Sequence, residues 1–288
     1  MNKLEICKRT RKIASDSLRL ILEKVLRSNK PISEASFGNL WLKELRKHKE
    51  IFPNGWYDPP PHGIIILFAS DKNLRRLNFK SVRGEEWWPK KDIFMDRKSG
   101  LLLFYASPVD KKTGIIGDFQ LTIYLGKNPK IIKLLKKNLN ISKKLVNKIS
   151  PKMKFKDITD IASGLLKKEG LINAIYSASD PANFNIGHTI PFSNEPMNEL
   201  EMKILEKGSW NKVLAMISKK RVFLNLEEDF KVGPEIAFTI EPRSKPKNDL
   251  SLPVVSYHTI ALFYKNGKRE LLTGFEEIFK LVKMDYML

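Results

Sequence analysis

Gly117-Asp118-Phe119-Gln120-Leu121-Thr122-Ile123-Tyr124-Leu125-Gly126 is the stretch on which the fold turns. A glycine and a carboxylate stand at its head, and apolar strand residues follow. Two further stretches have the same character, Gly187-His188-Thr189-Ile190-Pro191 and Phe238-Thr239-Ile240-Glu241-Pro242. Asp, His and Glu supply the oxygen and nitrogen atoms that divalent metals take in hydrolytic sites. Their order and apolar flanks predict a sheet whose inner face holds a metal ion or once did.

Working outward, Leu101 to Tyr105 and Phe119 to Leu125 read as two strands joined by the turn-rich Pro108 to Gly117, a hairpin pattern. Ile64 to Phe68 reads as a buried strand, delivered by three consecutive prolines, Pro59 to Pro61, that force an extended approach. Residues from Leu4 to Arg27 carry apolar positions near a 3.6 period and predict one long amphipathic helix. Ser33-Glu34 opens a second, Ala35 to Lys47. Asn128 to Ile149 and Phe155 to Lys168 predict two more, the last closed by Gly170. Beyond Leu171 the pattern is of short strands, at Arg221 to Asn225, Ile236 to Ile240, Val255 to Phe263 and Glu270 to Leu272. Helices are expected at Asn198 to Glu206 and Phe275 to Val282. Ser70 to Ser99, polar and aromatic with Trp87-Trp88-Pro89, reads as an irregular excursion or lid. Runs of helices alternating with runs of antiparallel strands define an α+β chain. With no long flexible linker, residues 1–288 are expected to form one domain with a lid at about 70–99.

Composition narrows the setting. No apolar run is long enough to span a membrane. The charged start, Met1 to Lys12, lacks the apolar stretch and cleavage site of a secretory signal. The single cysteine, Cys7, forms no internal disulfide, which favours a reducing, cytoplasmic setting. The 52 Lys and Arg against 32 Asp and Glu give +20. Lys127 to Lys156 holds many of these lysines and no acid until its neighbours beyond, and this run opens nucleic acid as a partner. It contains no arginine for bidentate base contacts and few aromatics for stacking. A solvated helix face is the reading the run favours, with nucleic acid left open beside it.

The motifs resemble those of the pita-bread family: methionine aminopeptidases, Xaa-Pro dipeptidases, aminopeptidase P and creatinase. The resemblance runs from the first helix to Leu272 and implies a curved antiparallel sheet backed by helices. In that family the sheet holds two metals between two Asp, one His and two Glu. Asp118 with Thr122 and Gly126 matches the second metal Asp and its frame. His188 in Gly187-His188-Thr189-Ile190 matches the metal His, with Thr189 in place of a glycine. Glu241 in Phe238-Thr239-Ile240-Glu241-Pro242 matches the first metal Glu. His62-Gly63-Ile64 is similar to the segment that positions the substrate amine in methionine aminopeptidases.

The departures are as informative. The first Asp should fall within Phe104-Tyr105-Ala106-Ser107, which has no carboxylate, and the last Glu near His258 in Val255 to Thr259. Asn194 stands where the substrate His should precede Glu195-Pro196. The resemblance therefore implies at most one divalent ion (Mn, Co, Zn or Fe) on Asp118, His188, Glu241 and His258, or none. Glu195 or His62 would handle protons. The implied activity is that of a metallopeptidase-like hydrolase of the Xaa-Pro class acting on a short peptide or related amide. The alternatives are a metal-free creatinase-like enzyme and a non-catalytic module for an acidic partner such as nucleic acid.

Overall fold

A computed structural model describes all residues except Met1, Lys80, 175–178, Asn183 and Leu250. Helix α1 (Lys3–Arg27) begins at Asn2, whose side chain accepts the Leu4 N–H. Its apolar stripe is buried, and Arg11 lies within that stripe. Helix α2 (Glu34–Leu45) is capped by the Ser33 hydroxyl, which accepts from the Ser36 N–H, and it buries Phe37 and Trp41. Strands β1 (Ile64–Ser70), β2 (Gly100–Ala106) and β3 (Phe119–Tyr124) form an antiparallel sheet in that order, the β2–β3 pair being the expected hairpin. Helices α3 (Pro129–Val146) and α4 (Phe155–Lys168) follow, α4 closing at Gly170 with φ +71°.

The second half holds β4 (Leu171–Asn173), α5 (Glu199–Lys207), α6 (Trp210–Lys219), β5 (Ile236–Ile240), β6 (Arg243–Pro246), β7 (Val255–Ser256), β8 (Thr259–Phe263), β9 (Arg269–Leu272) and α7 (Glu276–Leu281). The expected single strand over Val255 to Phe263 is in fact broken at Tyr257-His258. Its first half, β7, pairs with β6, and its second, β8, pairs with β5 and β9. At the break the His258 N–H donates to the Gln120 carbonyl at 3.1 Å, tying this strand to β3. Thr122 Oγ1 donates to the Ser256 carbonyl at 2.9 Å beside it. Among the described residues, three three-stranded antiparallel sheets are joined in this way around His258, with α1, α2 and α3 packed against them.

One further expectation needs correction. Arg221 to Asn225 is not a strand: only Phe223 makes a bridge, to His188, and the Asn225 side chain turns the chain by accepting the Glu227 N–H. Helix α6 and strand β6 were not anticipated. The segment between β1 and β2 carries short 3-10 turns at Arg75–Leu77 and Glu85–Trp87, and the start of α2 is one of the places that hold it. The Glu34 carboxylate, wholly buried, accepts from the Phe68 and Lys90 N–H groups at 2.7 and 2.9 Å and from Arg76 Nη2 at 2.7 Å. Phe79, Ser81 and Val82 of this segment line a cavity shared with Asp118, His188, Glu241 and His258.

Candidate functional site

Two close approaches bring the site residues inward. Gly117, just before Asp118, lies so near the Thr10 carbonyl of α1 that a Cβ there would meet its oxygen at 2.7 Å. Gly187, just before His188, has φ +154°, and a Cβ would overlap the Thr239 carbonyl oxygen. Only glycine allows the His188 segment to lie against β5 in this way, where the Thr239 N–H donates to the His188 carbonyl and the His188 N–H donates to the Thr239 hydroxyl, both at 2.8 Å.

Asp118, His188, Glu241 and His258 meet in one cavity of about 80 Å³. His258 bridges the two carboxylates: Nδ1 lies 2.8 Å from Asp118 Oδ1 and Nε2 lies 2.8 Å from Glu241 Oε2. His188 Nε2 is 3.1 Å from Asp118 Oδ2 and 3.7 Å from Glu241 Oε1. Its Nδ1 lies 2.9 Å from the Thr189 carbonyl, an acceptor only, so Nδ1 carries a proton. Thr239 Oγ1 donates to Glu241 Oε1 at 3.0 Å.

Burial alone would drive the His258 pKa down. The Glu241 and Asp118 charges and their hydrogen bonds reverse this and push it up to about 9. Burial would likewise raise the two acids. The His258 charge, joined by His188, instead holds Asp118 well below the usual carboxylate range. The same His258 charge and hydrogen bond, with Arg243, hold Glu241 at about 2. His258 is therefore an imidazolium sandwiched between two carboxylates at neutral pH.

Arg11 stands behind this group. It is buried and spans strand ends, donating from Nη2 to the His258 carbonyl at 2.6 Å, from Nε to the Thr273 carbonyl at 2.9 Å, and from Nη1 to the Asp118 carbonyl. Burial lowers its pKa to about 10 against the opposing Asp118 charge, which leaves it cationic. On the opposite wall the Arg221 guanidinium sits 4.6 Å from the Trp56 ring centre and 4.8 Å from that of Phe223. Where the first metal Asp was expected, Tyr105 lines the cavity and the Ser107 hydroxyl accepts the Asp118 N–H at 3.2 Å.

These residues do not fit two metals: no carboxylate comes from β2 to bridge a second ion. For one ion, Asp118, Glu241 and His258 offer donor atoms within 4.8 Å of one another, a buried triad that could bind a metal. The actual spacing is that of hydrogen bonds. Two ligands about 2.1 Å from a tetrahedral metal stand about 3.4 Å apart, whereas both His258 contacts are 2.8 Å. An ion would have to displace the imidazolium proton and spread the cluster.

His62 and Glu195, expected to handle protons, are not brought to the cavity. His62 sits exposed in the Pro61–Gly63 turn with φ +60°, and Glu195 is exposed, 4.0 Å from Lys220. Trp87 and Trp88 do not line the cavity either. Trp87 packs on Phe79, and Trp88 Nε1 donates to the Arg83 carbonyl. Arg11 left a readable trace, a basic residue on the apolar stripe between Cys7 and Ala14. Tyr105, Trp56 and Arg221 left none, since each comes from a different segment.

No family model and no curated protein matches the chain. Solved structures do. An X-Pro aminopeptidase from Thermotoga maritima aligns with TM-score 0.59 and 12% identity over 94% of this chain and 60% of that one. Prolidase from Pyrococcus furiosus aligns with TM-score 0.58 and 17% identity over 94% and 63%. The N-terminal domain of FACT complex subunit SPT16 from chickpea aligns with TM-score 0.59 and 12% identity over 98% and 59%. The protein has the pita-bread fold of these Xaa-Pro peptidases and of that SPT16 domain. It spans about three fifths of the length of each of these chains.

Proposed function

We propose that this protein is a pita-bread binding protein whose cavity takes one end of a short peptide or a related small amide without metal-dependent hydrolysis. The observation that supports it is His258 hydrogen-bonded through both ring nitrogens to Asp118 and Glu241. The imidazolium supplies, between the two carboxylates, positive charge that a metal would otherwise supply. The cluster is closed on itself. His258 has no ring nitrogen left for a ligand, and a general base must reach the proton it takes. Ligand contact falls instead to the groups around the cluster, Tyr105, Gln120 and Arg221 among them. This reading treats residues 1–288 as one domain and takes the setting to be the reducing cytoplasm, which the unpaired Cys7 supports.

The test is elemental analysis of chelator-free protein, followed by thermal shift and hydrolysis assays with Xaa-Pro and methionyl dipeptides. The expected result is no stoichiometric metal, a raised melting temperature with a bound peptide, and no turnover with or without added metal. Turnover abolished by a chelator would overturn the reading. The proximity of the Asp118, Glu241 and His258 donors favours a second reading, a mononuclear hydrolase. One tightly held equivalent of Mn, Co, Zn or Fe, lost in Glu241→Ala, would select it.

A further inference from the structure

Helix α3 turns two opposite characters to its two sides. Its buried residues, among them Ile131, Leu134, Leu135, Leu145 and Val146, seat it against the sheet and α4. At 100° per residue, every lysine from Lys130 to Lys144 falls within an arc of about 140° on the other side, and Lys148 follows just past the end of the helix. No Asp or Glu occurs anywhere from Lys127 to Lys156. Three of these lysines have acids from elsewhere in the chain: Lys130 meets Asp249 at 3.6 Å, and Lys137 and Lys144 meet Glu169 at 3.6 and 3.1 Å. Lys133, Lys136, Lys143 and Lys148 have no carboxylate partner among the described residues. Lys133, Lys136 and Lys148 are exposed and Lys143 half-exposed.

We propose that this face is a docking surface for the phosphate backbone of duplex DNA. The surface spreads ammonium groups over one side of a helix about 27 Å long, at 1.5 Å per residue. A B-form duplex offers one phosphate charge per ~1.7 Å of axis, so several lysines reach phosphates at once. Lysine acts as a point charge with no fork for base edges, and no arginine lies on the helix. Binding is therefore independent of sequence. The helix carries no aromatic residue on which unpaired bases would stack, which removes the main platform for single strands. Duplex RNA is held through contacts spread over about 16 base pairs and two minor grooves, a longer surface than this one helix gives. The face lies outside the residues that line the carboxylate–imidazolium cavity and stands independently of what that cavity binds.

The experiment is fluorescence anisotropy of the full chain with a random-sequence DNA duplex of about 20 base pairs, titrated from about 50 mM salt upward. Four phosphate contacts predict log K falling by about 3.6 per decade of salt, at about 0.9 per contact. The variant Lys133→Gln/Lys136→Gln/Lys143→Gln/Lys148→Gln should keep its circular-dichroism melt and lose about tenfold or more in affinity at the lowest salt. Absence of duplex binding at about 50 mM salt, a flat salt dependence, or unchanged affinity in the folded quadruple variant would overturn the proposal. So would tighter binding of single-stranded DNA, duplex RNA or a polyglutamate peptide under the same conditions.

Discussion

The cavity and the outer face of α3 hold charge in opposite ways. In the cavity, Asp118, Glu241 and His258 are nearly wholly buried, and each carboxylate has the imidazolium between them at 2.8 Å. On α3, lysines stand in a row with few partners. The difference follows from dielectric. Removing an ion from water costs several kcal/mol unless a counter-charge replaces the lost hydration. A lysine in water keeps its hydration and needs no partner. Charges that fold inward must therefore be matched by residues far away in sequence, and those on the surface need no match at all.

The comparison breaks most sharply if one member of the buried cluster is removed. Glu241→Ala leaves His258 with one carboxylate and should destabilise the fold by about 3–5 kcal/mol, the cost of stranding a buried charge. Urea unfolding measures it, and a loss below about 1 kcal/mol would mean that the cluster is open to water.

The next effect is on pH. His258 is raised to about 9 in the folded state against an ordinary value near 6.5. Its contribution is full below about pH 6.5 and is lost as pH rises through 9, on the order of 3 kcal/mol. Asp118 and Glu241 are held below the ordinary range, so theirs is full above about pH 4 and lost in more acid solution. Melting temperature should therefore be highest between about pH 4.5 and 6.5. In His258→Gln the decline between about pH 6.5 and 9 should flatten. An unchanged alkaline decline in that variant would place its origin elsewhere.

Gly187→Ala sharpens the geometric side of the comparison. The overlap with the Thr239 carbonyl should cost about 1–3 kcal/mol and shift the His188 ring signals in an NMR spectrum. A neutral result would show that the backbone there yields easily. At the small end, replacing Lys133 or Lys136 singly by Gln should change stability by no more than about 0.5 kcal/mol. A larger loss would reveal a buried partner for that lysine.

The sequence alone carried the helices α1 to α4 and the β2–β3 hairpin, and it named Asp118, His188, Glu241 and His258 as candidates for one site. Each of these rests on local information: an apolar period, a capping serine, a glycine that closes a helix, or a short motif ahead of a strand. His258 was legible only as the one ligand-type residue in its strand. What it does depends on the break at Tyr257-His258, which is set by pairing with three different partners, β6, β5 and β3. Arg11, 247 residues from His258, reaches its carbonyl only in the folded chain. His62 and Glu195 mark the opposite case, residues whose motifs suggested a role and whose turns point them into solvent. Local propensity determined which segments became helix or strand and which side of each was apolar. Tertiary structure alone decided which charges came within 3 Å of one another and which stayed in water, because counter-charges are chosen by distance in space, and sequence separation places no limit on that choice.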